Sequence, residues 1–186
     1  MFSLDLLNLF HKLAWRINTA FSTFPTIKAW LIAIVLLLIL TLFCLPIGLW
    51  CNFLKIENMR ASKTIIFSII AGSLLFPAIS EELFFRVLLL PHPQENVTTA
   101  TVWFWGSLSL VLFIIYHPLN AVTFFPAGRK TFFNPIFLLL AAVLGIVCSV
   151  VYLQSGSLWL PVIIHWLVVV VWLVFLGGYK QLHGEV

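Results

Sequence analysis

Residues 30–53 read WLIAIVLLLILTLFCLPIGLWCNF, a stretch of 24 positions without a charged side chain. A helix needs about 20 consecutive apolar residues to cross the roughly 30 Å of hydrocarbon in a bilayer. This stretch is long enough, and Pro46 within it predicts a kink. Its length and apolar character therefore predict a helix that spans a membrane.

Further apolar stretches follow along the chain, each long enough to span a bilayer. We place them at residues 64–90, 101–125, 133–153 and 158–177. The connections between them are short and rich in turn residues such as Pro, Gly and Ser. The sequence therefore predicts an all-α, polytopic membrane helical bundle with about five transmembrane helices.

The composition agrees with this fold class. Of the 186 residues, 62% are hydrophobic and only 9% are charged, and the mean hydropathy is +1.13. Soluble domains carry about a quarter charged residues. The net charge of +4 comes mainly from cations beside apolar stretches, where such residues anchor helices at lipid headgroups. The expected partners are membrane lipids, and the charge does not suggest nucleic acid.

The amino-terminal residues 1–28 have a different pattern. Apolar residues recur at roughly helical spacing, with Lys12 and Arg16 between them. This pattern indicates an amphipathic or interfacial segment, with a frayed tail as the alternative. Residues 29–186 then form the transmembrane domain. Three histidines lie outside the predicted spans and are expected to be solvated: His11, His92 and His183.

The distribution of cations predicts an orientation. One side of the membrane would hold Lys12, Arg16 and Lys28. The other side would hold six cations: Lys55, Arg60, Lys63, Arg129, Lys130 and Lys180. Since the cation-rich side is usually cytoplasmic, we expect the carboxyl terminus in the cytoplasm.

The only formally charged residues within the spans are Glu81, Glu82 and Arg86. A charge near the bilayer centre costs at least about 2.5–3.5 kcal/mol, so such residues usually face a partner or a wet cavity. Glu82 and Arg86 are four residues apart on a helix and can pair. Glu81 is rotated by about 100° and suits the same arginine less well. One carboxylate is thus expected to be neutralised, and the other to be available as a general base.

Two histidines lie at a similar depth to Glu81. At about 1.5 Å per residue, Glu81, His117 and His165 all fall in the middle of their spans. For His117 this requires that Pro118 does not end the third helix. The three side chains could then share one cavity, although each histidine alone could equally be a hydrogen-bonded core residue.

The chain lacks the residues that other classes of intramembrane protease require. There is no HExxH motif for a zinc protease, and Asp5 is the only aspartate, which excludes a two-aspartate protease. No GxSxG motif is present, and Ser80 has no base at a recognisable spacing. The simpler alternative is that Glu81, Glu82 and Arg86 only lock the helix by an ion pair. Glutamate with histidine remains as the catalytic possibility.

Three motifs occur in order on three hydrophobic segments. They are EELFFR at residues 81–86, FIIYH at residues 113–117, and the segment that leads to His165. Over residues 62–175 they resemble the CPBP family, the CAAX-processing and bacteriocin-processing proteins also called Abi, whose pattern is EExxxR, FxxxH and HxxxN or HxxxD. Members of that family include glutamate-type intramembrane endopeptidases.

The resemblance implies an activity and roles for these residues. Glu81 and His117 would activate water, His165 would help to stabilise the oxyanion, and Glu82 and Arg86 would hold the site together. No cofactor is implied, and the substrate would be a membrane-associated peptide or protein, including a prenylated or lipidated one.

The chain departs from the family pattern in two respects. Val169 stands where the third motif has Asn or Asp, with Asn120 as a possible compensating donor, and the chain is short for the family. A non-proteolytic scaffold or a bacteriocin-immunity-like protein of the same fold is therefore the alternative function. A zinc site built from glutamate and histidine is a lesser alternative.

Overall fold

The computed structural model describes residues 2–183. Position 1 of the amino-terminal segment and positions 184–186 of the transmembrane domain lie outside the described residues. The described part is helical and contains no β-strand beyond one isolated bridge. In chain order the helices are α1 (Phe2–Ser22), α2 (Ile27–Trp50), α3 (Lys63–Ser73), α4 (Ser80–Glu82), α5 (Thr99–Thr123), α6 (Arg129–Phe132), α7 (Pro135–Ser155), α8 (Trp159–Phe175) and α9 (Gly178–His183).

The prediction of a helical membrane bundle is confirmed. In the described part, four helical segments are long and apolar enough to cross a membrane: Ile27–Trp50, Lys63–Glu95, Thr99–Thr123 and Pro135–Ser155. The fifth predicted span corresponds to α8, which is apolar but shorter at 17 residues. At 1.5 Å per residue, α8 is about 26 Å long. The chain is an integral membrane protein.

Local side chains define where these helices begin. The hydroxyl or amide oxygen of each N-cap residue accepts a backbone N–H of the first turn in α2, α3, α5 and α7. Those N-cap residues are Thr26, Ser62, Thr98 and Asn134. At the other end of α7, Gly156 adopts a φ of 66°, a left-handed conformation that glycine accepts without strain.

Two prolines inside spans have different effects. Helix α5 continues through Pro118 to Thr123, so His117 lies well inside the helix, as the depth estimate required. In the second span, Phe76 leaves the helical region (φ −132°, ψ 114°) next to Pro77. There the chain forms π-helical turns at Leu74–Ile79 and Leu83–Leu88, on either side of α4. Such turns often occur at functional sites.

Helix α7 is at the centre of the bundle and packs against α2, α5 and α8. On α2 the buried cluster shared with α7 includes the small residues Ala29, Ala33 and Cys44, and on α7 it includes Leu144 and Cys148. Small side chains let helix backbones approach closely, which matters in lipid because apolar surface alone does not drive helices together.

The linker after α2 covers the end of α8. The backbone N–H groups of Lys55, Glu57 and Met59 donate to the carbonyls of residues 176, 175 and 174, at 3.2, 3.0 and 2.8 Å. The last carbonyls of a helix have no partner within it. The linker therefore supplies these donors and holds the α2–α3 connection against the carboxyl end of α8.

Two expectations are wrong, one about the amino-terminal segment and one about the loop after the second span. Arg16 is not free to contact lipid headgroups but is buried, and its guanidinium donates to both carboxylate oxygens of Glu95 (2.5 and 2.9 Å) and to the carbonyl of Leu88 (2.8 Å). His92 is not solvated but buried, with its Nε2 at 3.1 Å from the Gly156 carbonyl. Helix α1 is thus attached to the loop after the second span, because a buried guanidinium needs a carboxylate.

This attachment predicts a stability difference between two cations that share one carboxylate. Arg16→Ala should lower the free energy of unfolding by about 1.5–3 kcal/mol, because it removes several charged hydrogen bonds from a buried site. Lys12 also contacts Glu95, at 2.8 Å, but its side chain is 49% exposed. Lys12→Ala is the matched control and should cost less than about 1 kcal/mol. Thermal unfolding in detergent measures both, and equal losses would contradict the prediction.

Candidate active site

The three predicted catalytic residues line one cavity. It has a volume of about 1260 Å³ and is lined by residues of α2, α3, α5 and α8. Glu81, His117 and His165 all reach its wall, and each is at least nine-tenths buried. The bundle therefore brings together side chains from three separate spans, as the depth estimate predicted.

Glu82 and Arg86 lie behind this wall and form a buried network. Nε of Arg86 is 3.1 Å from Oε2 of Glu82, the pair that the spacing of four residues predicted. The other carboxylate oxygen of Glu82, Oε1, accepts a hydrogen bond from Nδ1 of His165 at 2.6 Å. Glu82 is fully buried, so these two contacts are what neutralise its charge. They also fix the orientation of the His165 ring.

Arg86 has two further partners that sequence reasoning missed. Its Nη2 donates to the carbonyl of Gly145 at 3.1 Å, and its guanidinium lies 4.5 Å from the centre of the Phe113 ring. A Cβ at position 145 would come within 2.9 Å of Cδ1 of Leu110 and 3.0 Å of Cδ1 of Phe113, so a larger residue there would require these side chains to shift. The sequence could not indicate the Gly145 carbonyl as a partner, because every residue has a backbone carbonyl. Phe113 is part of the second motif and could have been considered.

Glu81 differs from Glu82 in its surroundings. Among the described residues, Oε2 of Glu81 has no hydrogen-bond partner. Nε2 of His165 lies 3.9 Å from this oxygen. Glu81 thus faces the cavity with an oxygen available to bind a proton, while Glu82 is occupied by Arg86 and His165. This is the asymmetry that the two adjacent carboxylates predicted.

His117 is held in a defined orientation. Its Nδ1 donates to the carbonyl of Phe113 at 2.9 Å. Its ring makes edge contacts with Phe113, Phe132 and Phe137, with centroids 4.9, 5.7 and 5.1 Å away. Because Nδ1 carries the proton in this bond, Nε2 of the neutral ring keeps its lone pair. His117 can therefore accept a proton or a hydrogen bond through Nε2.

The sequence comparison identifies the family. The model of the Rce1-like proteins, described as type II CAAX prenyl endopeptidase Rce1-like, matches residues 61–171, which is more than half of the chain. The chain belongs to the Rce1-like family. This confirms the resemblance to the CPBP family drawn from the three motifs. Comparisons with curated proteins and with solved structures gave no match.

All three motifs of this Rce1-like protein lie within the matched region. The Rce1-like family is a protease family, so membership supports a hydrolase that acts in the membrane. The remaining question is which of the cavity residues do the chemistry.

The position that departs from the family pattern is also at the cavity. Val169 lies one helical turn after His165 on α8, and both side chains line the cavity. Asn120, the other residue considered as a donor, lines it too. A polar side chain at position 169 would therefore reach the same space as His165.

This placement predicts a gain of function. Val169→Asn should raise peptidase turnover by up to about 10²-fold, because it adds a donor beside His165 for a developing oxyanion. Val170, which does not line the cavity, provides the matched control Val170→Asn. Turnover and melting temperature are to be measured on the same preparation. Unchanged turnover in a stably folded Val169→Asn protein would mean that His165 does not act in such a pair.

A metal site has no obvious ligand set in this structure. Within residues 2–183, no group of three or more His, Cys, Asp or Glu side chains is arranged to hold a metal ion. A chelator experiment tests the zinc alternative.

Proposed function

We propose that this Rce1-like protein is an intramembrane endopeptidase of the glutamate type, which cleaves a membrane-associated peptide with activated water. The observation that carries the proposal is the contrast between two adjacent buried carboxylates. Glu82 contacts Arg86 at 3.1 Å and His165 at 2.6 Å, whereas Glu81 lines a cavity shared with two histidines, and the contact of its Oε2 with Nε2 of His165 is 3.9 Å long.

In this mechanism Glu81 accepts one proton from water, while the second O–H of that water, which stays intact, donates a hydrogen bond to Nε2 of His117. The water oxygen then attacks the peptide carbonyl, and the proton held by Glu81 passes to the leaving amine. General acid–base catalysis of this kind contributes about 10²–10⁴ in rate. It needs no cofactor.

His165 is proposed to stabilise the oxyanion. Its Nδ1–H donates to Glu82, so it is Nε2, which lies 3.9 Å from Oε2 of Glu81, that can face the substrate. When the ring carries both protons, Nε2–H can donate to the oxyanion. Glu82 and Arg86 then act as positioning residues, because they hold the ring without touching the substrate.

The cavity wall suits a substrate with an apolar anchor. Apart from the catalytic side chains, it is lined largely by aliphatic and aromatic residues, including Leu37, Leu40, Phe53 and Trp172. A lipid or prenyl group would bury apolar surface there at about 25 cal/mol per Å². The family description names a prenyl endopeptidase, and we propose a prenylated or lipidated peptide as the substrate class here.

A second candidate function rests on Val169. Loss of one oxyanion donor typically lowers the rate by about 10²–10³. A chain that lacks this donor could bind peptides without cleaving them, as a membrane scaffold or a bacteriocin-immunity-like protein would.

A cleavage assay in liposomes tests the proposal. Wild-type protein should cleave a farnesylated peptide, and Glu81→Ala should not. EDTA or phenanthroline should have little effect on the rate, whereas strong inhibition that added zinc reverses would favour a metal site. No cleavage of any membrane-anchored peptide by a folded wild-type protein would favour the scaffold.

We also propose that the carboxyl terminus is cytoplasmic, on the basis of the six cations on that side. Cys51 is exposed at the same end of α2. In intact cells, a thiol reagent that cannot cross the membrane should leave Cys51 unlabelled and should label it after permeabilisation. Labelling of intact cells would reverse the orientation.

A further inference from the structure

The proposed reaction needs hydrogen-bond donors for the developing oxyanion, and position 169 does not supply one. His165 offers Nε2–H from α8, whereas Val169, one turn further along the same helix, has an aliphatic side chain. Oxyanion sites in acyl-transfer enzymes are built from several preorganised donors. A second donor is therefore expected elsewhere in the cavity wall.

Several hydroxyl groups in the cavity wall already use their protons. Four serine or threonine hydroxyls donate to a carbonyl three or four residues earlier, at 2.8–3.2 Å. They are Thr41, Ser68, Ser73 and Ser80. Thr64 lies at the start of α3, and Tyr179 lies on α9, beyond the end of α8. Among the described residues of the wall, two uncharged donors flank His117 on α5, namely Tyr116 and Asn120.

Ring contacts place Tyr116 close to both sides of the candidate active site. Its ring packs edge-on against Phe85, with centroids 5.6 Å apart, and Phe85 lies four residues after Glu81. Phe113, three residues before Tyr116 on α5, contacts the His165 ring with centroids 6.1 Å apart. Residues three or four apart are neighbours on a helix surface. Tyr116 therefore lies between the span that carries Glu81 and the helix that carries His165.

The Tyr116 hydroxyl is available to a substrate. In the part of the chain that the structure describes it makes no hydrogen bond, and the side chain is half-buried and lines the cavity. The charge of Glu81 acts on this hydroxyl, so the two groups are within electrostatic range. A tyrosine hydroxyl that is shielded from water usually has a hydrogen-bond partner. The missing partner is consistent with an oxygen of a bound substrate.

On the basis of the proposed function, we infer that Tyr116 is a further catalytic residue, whose hydroxyl donates a hydrogen bond to the oxyanion. His165 and Tyr116 then contact the same oxygen from α8 and from α5. The phenol keeps its proton throughout, because it stabilises the developing charge and transfers no proton. Tyr116 thus compensates for Val169, which cannot donate a hydrogen bond.

Two tyrosines in the cavity wall provide a matched pair of variants. Tyr116→Phe removes the hydroxyl and keeps the ring that packs against Phe85 and His117. It should lower kcat by about 10²-fold and leave KM within about 2-fold, because the lost bond forms in the transition state. Tyr179→Phe makes the same change in a ring that stacks on His183, with centroids 4.4 Å apart, and should keep kcat within about 2-fold. Melting temperatures show whether both variants are folded.

Two uncleavable ligands measure the contact without turnover. Both are farnesylated peptides; in one a phosphinate, a tetrahedral anion, replaces the scissile bond, and in the other an ethylene group without the oxygen replaces it. In nanodiscs, Tyr116→Phe should bind the phosphinate about 10- to 100-fold more weakly than wild type, since a hydrogen bond to a charged group is lost. Its affinity for the ethylene peptide should stay within about 2-fold. Asn120→Leu removes the neighbouring donor and should leave both affinities within about 2-fold.

The outcomes separate this inference from the proposed function. If wild-type protein cleaves its substrate and Tyr116→Phe has an unchanged kcat or phosphinate affinity, the inference is wrong and the endopeptidase proposal stands. A phosphinate affinity that falls in Asn120→Leu instead, or equal losses for both ligands in Tyr116→Phe, would also contradict a bond from Tyr116 to the oxyanion. If folded wild-type protein cleaves no peptide but Tyr116→Phe loses affinity for the phosphinate alone, the inference holds and the endopeptidase proposal fails. If wild-type protein binds neither ligand, both fail.

Discussion

Glu81→Ala is expected to reduce peptidase activity by about 10²–10⁴-fold and to leave the protein folded. The carboxylate is the group proposed to take the proton from water, and a positioned acid–base group contributes about 10²–10⁴. The removed side chain makes no hydrogen bond through Oε2, so little structural support is lost. His117→Ala should show a comparable loss. Initial rates of peptide cleavage in liposomes measure both effects.

The control for Glu81→Ala is a glutamate outside the cavity. Glu57 is 46% exposed and contacts Lys180 at 3.6 Å, so Glu57→Gln should change the cleavage rate by less than a few-fold. Melting temperatures of all variants show whether they are folded. Activity within a few-fold of wild type in Glu81→Ala or His117→Ala would remove that residue from the mechanism.

Arg86→Ala is expected to lower the stability of the folded protein. Arg86 and Glu82 are almost fully buried, and breaking a buried ion pair from one side typically costs about 3–5 kcal/mol. The variant would also lose the bond to the Gly145 carbonyl and the contact with Phe113. We therefore expect a lower yield and a lower melting temperature. Normal thermal stability would contradict the pairing of Glu82 with Arg86.

A double variant separates stability from activity. Glu82→Gln removes the charge that Arg86→Ala leaves unpaired, so the combination should regain part of the lost stability. It should not regain activity, because Nδ1 of His165 would no longer donate to a carboxylate. A fall in stability beyond that of Arg86→Ala alone would mean that the buried charge is not what destabilises the single variant.

Much of the site followed from features that are local in sequence. The Glu82–Arg86 pair joins two side chains four residues apart in sequence. Side chains at this spacing are neighbours on a helix surface, whatever the helix packs against. The depth of Glu81, His117 and His165 in their spans depends only on the rise per residue. The depth of His117 required that the third helix not end at Pro118, and helix α5 continues past this proline to Thr123.

Other features depended on which helices lie together. Glu95 is 79 positions from Arg16, and His92 is 64 from Gly156, so no periodicity could connect them. The expectations that Arg16 and His92 are solvated or at the membrane surface were wrong for the same reason. A cation or a histidine beside an apolar stretch looks solvated in sequence unless its distant partner is known.

The sequence by itself determined the fold class and the residues that carry charge inside the membrane, because the length of apolar runs and the cost of a buried charge are properties of short segments. Only the tertiary structure decided which distant groups contact the Glu82–Arg86 pair that the spacing predicted. His165 on α8 donates a hydrogen bond to Glu82, which is 83 positions away in sequence. Arg86 donates a hydrogen bond to the carbonyl of Gly145 on α7. Both bonds form because α8 and α7 pack against the second span. They occupy Glu82 and leave an oxygen of Glu81 facing the cavity, since a buried charge is stable only where packing brings it a partner.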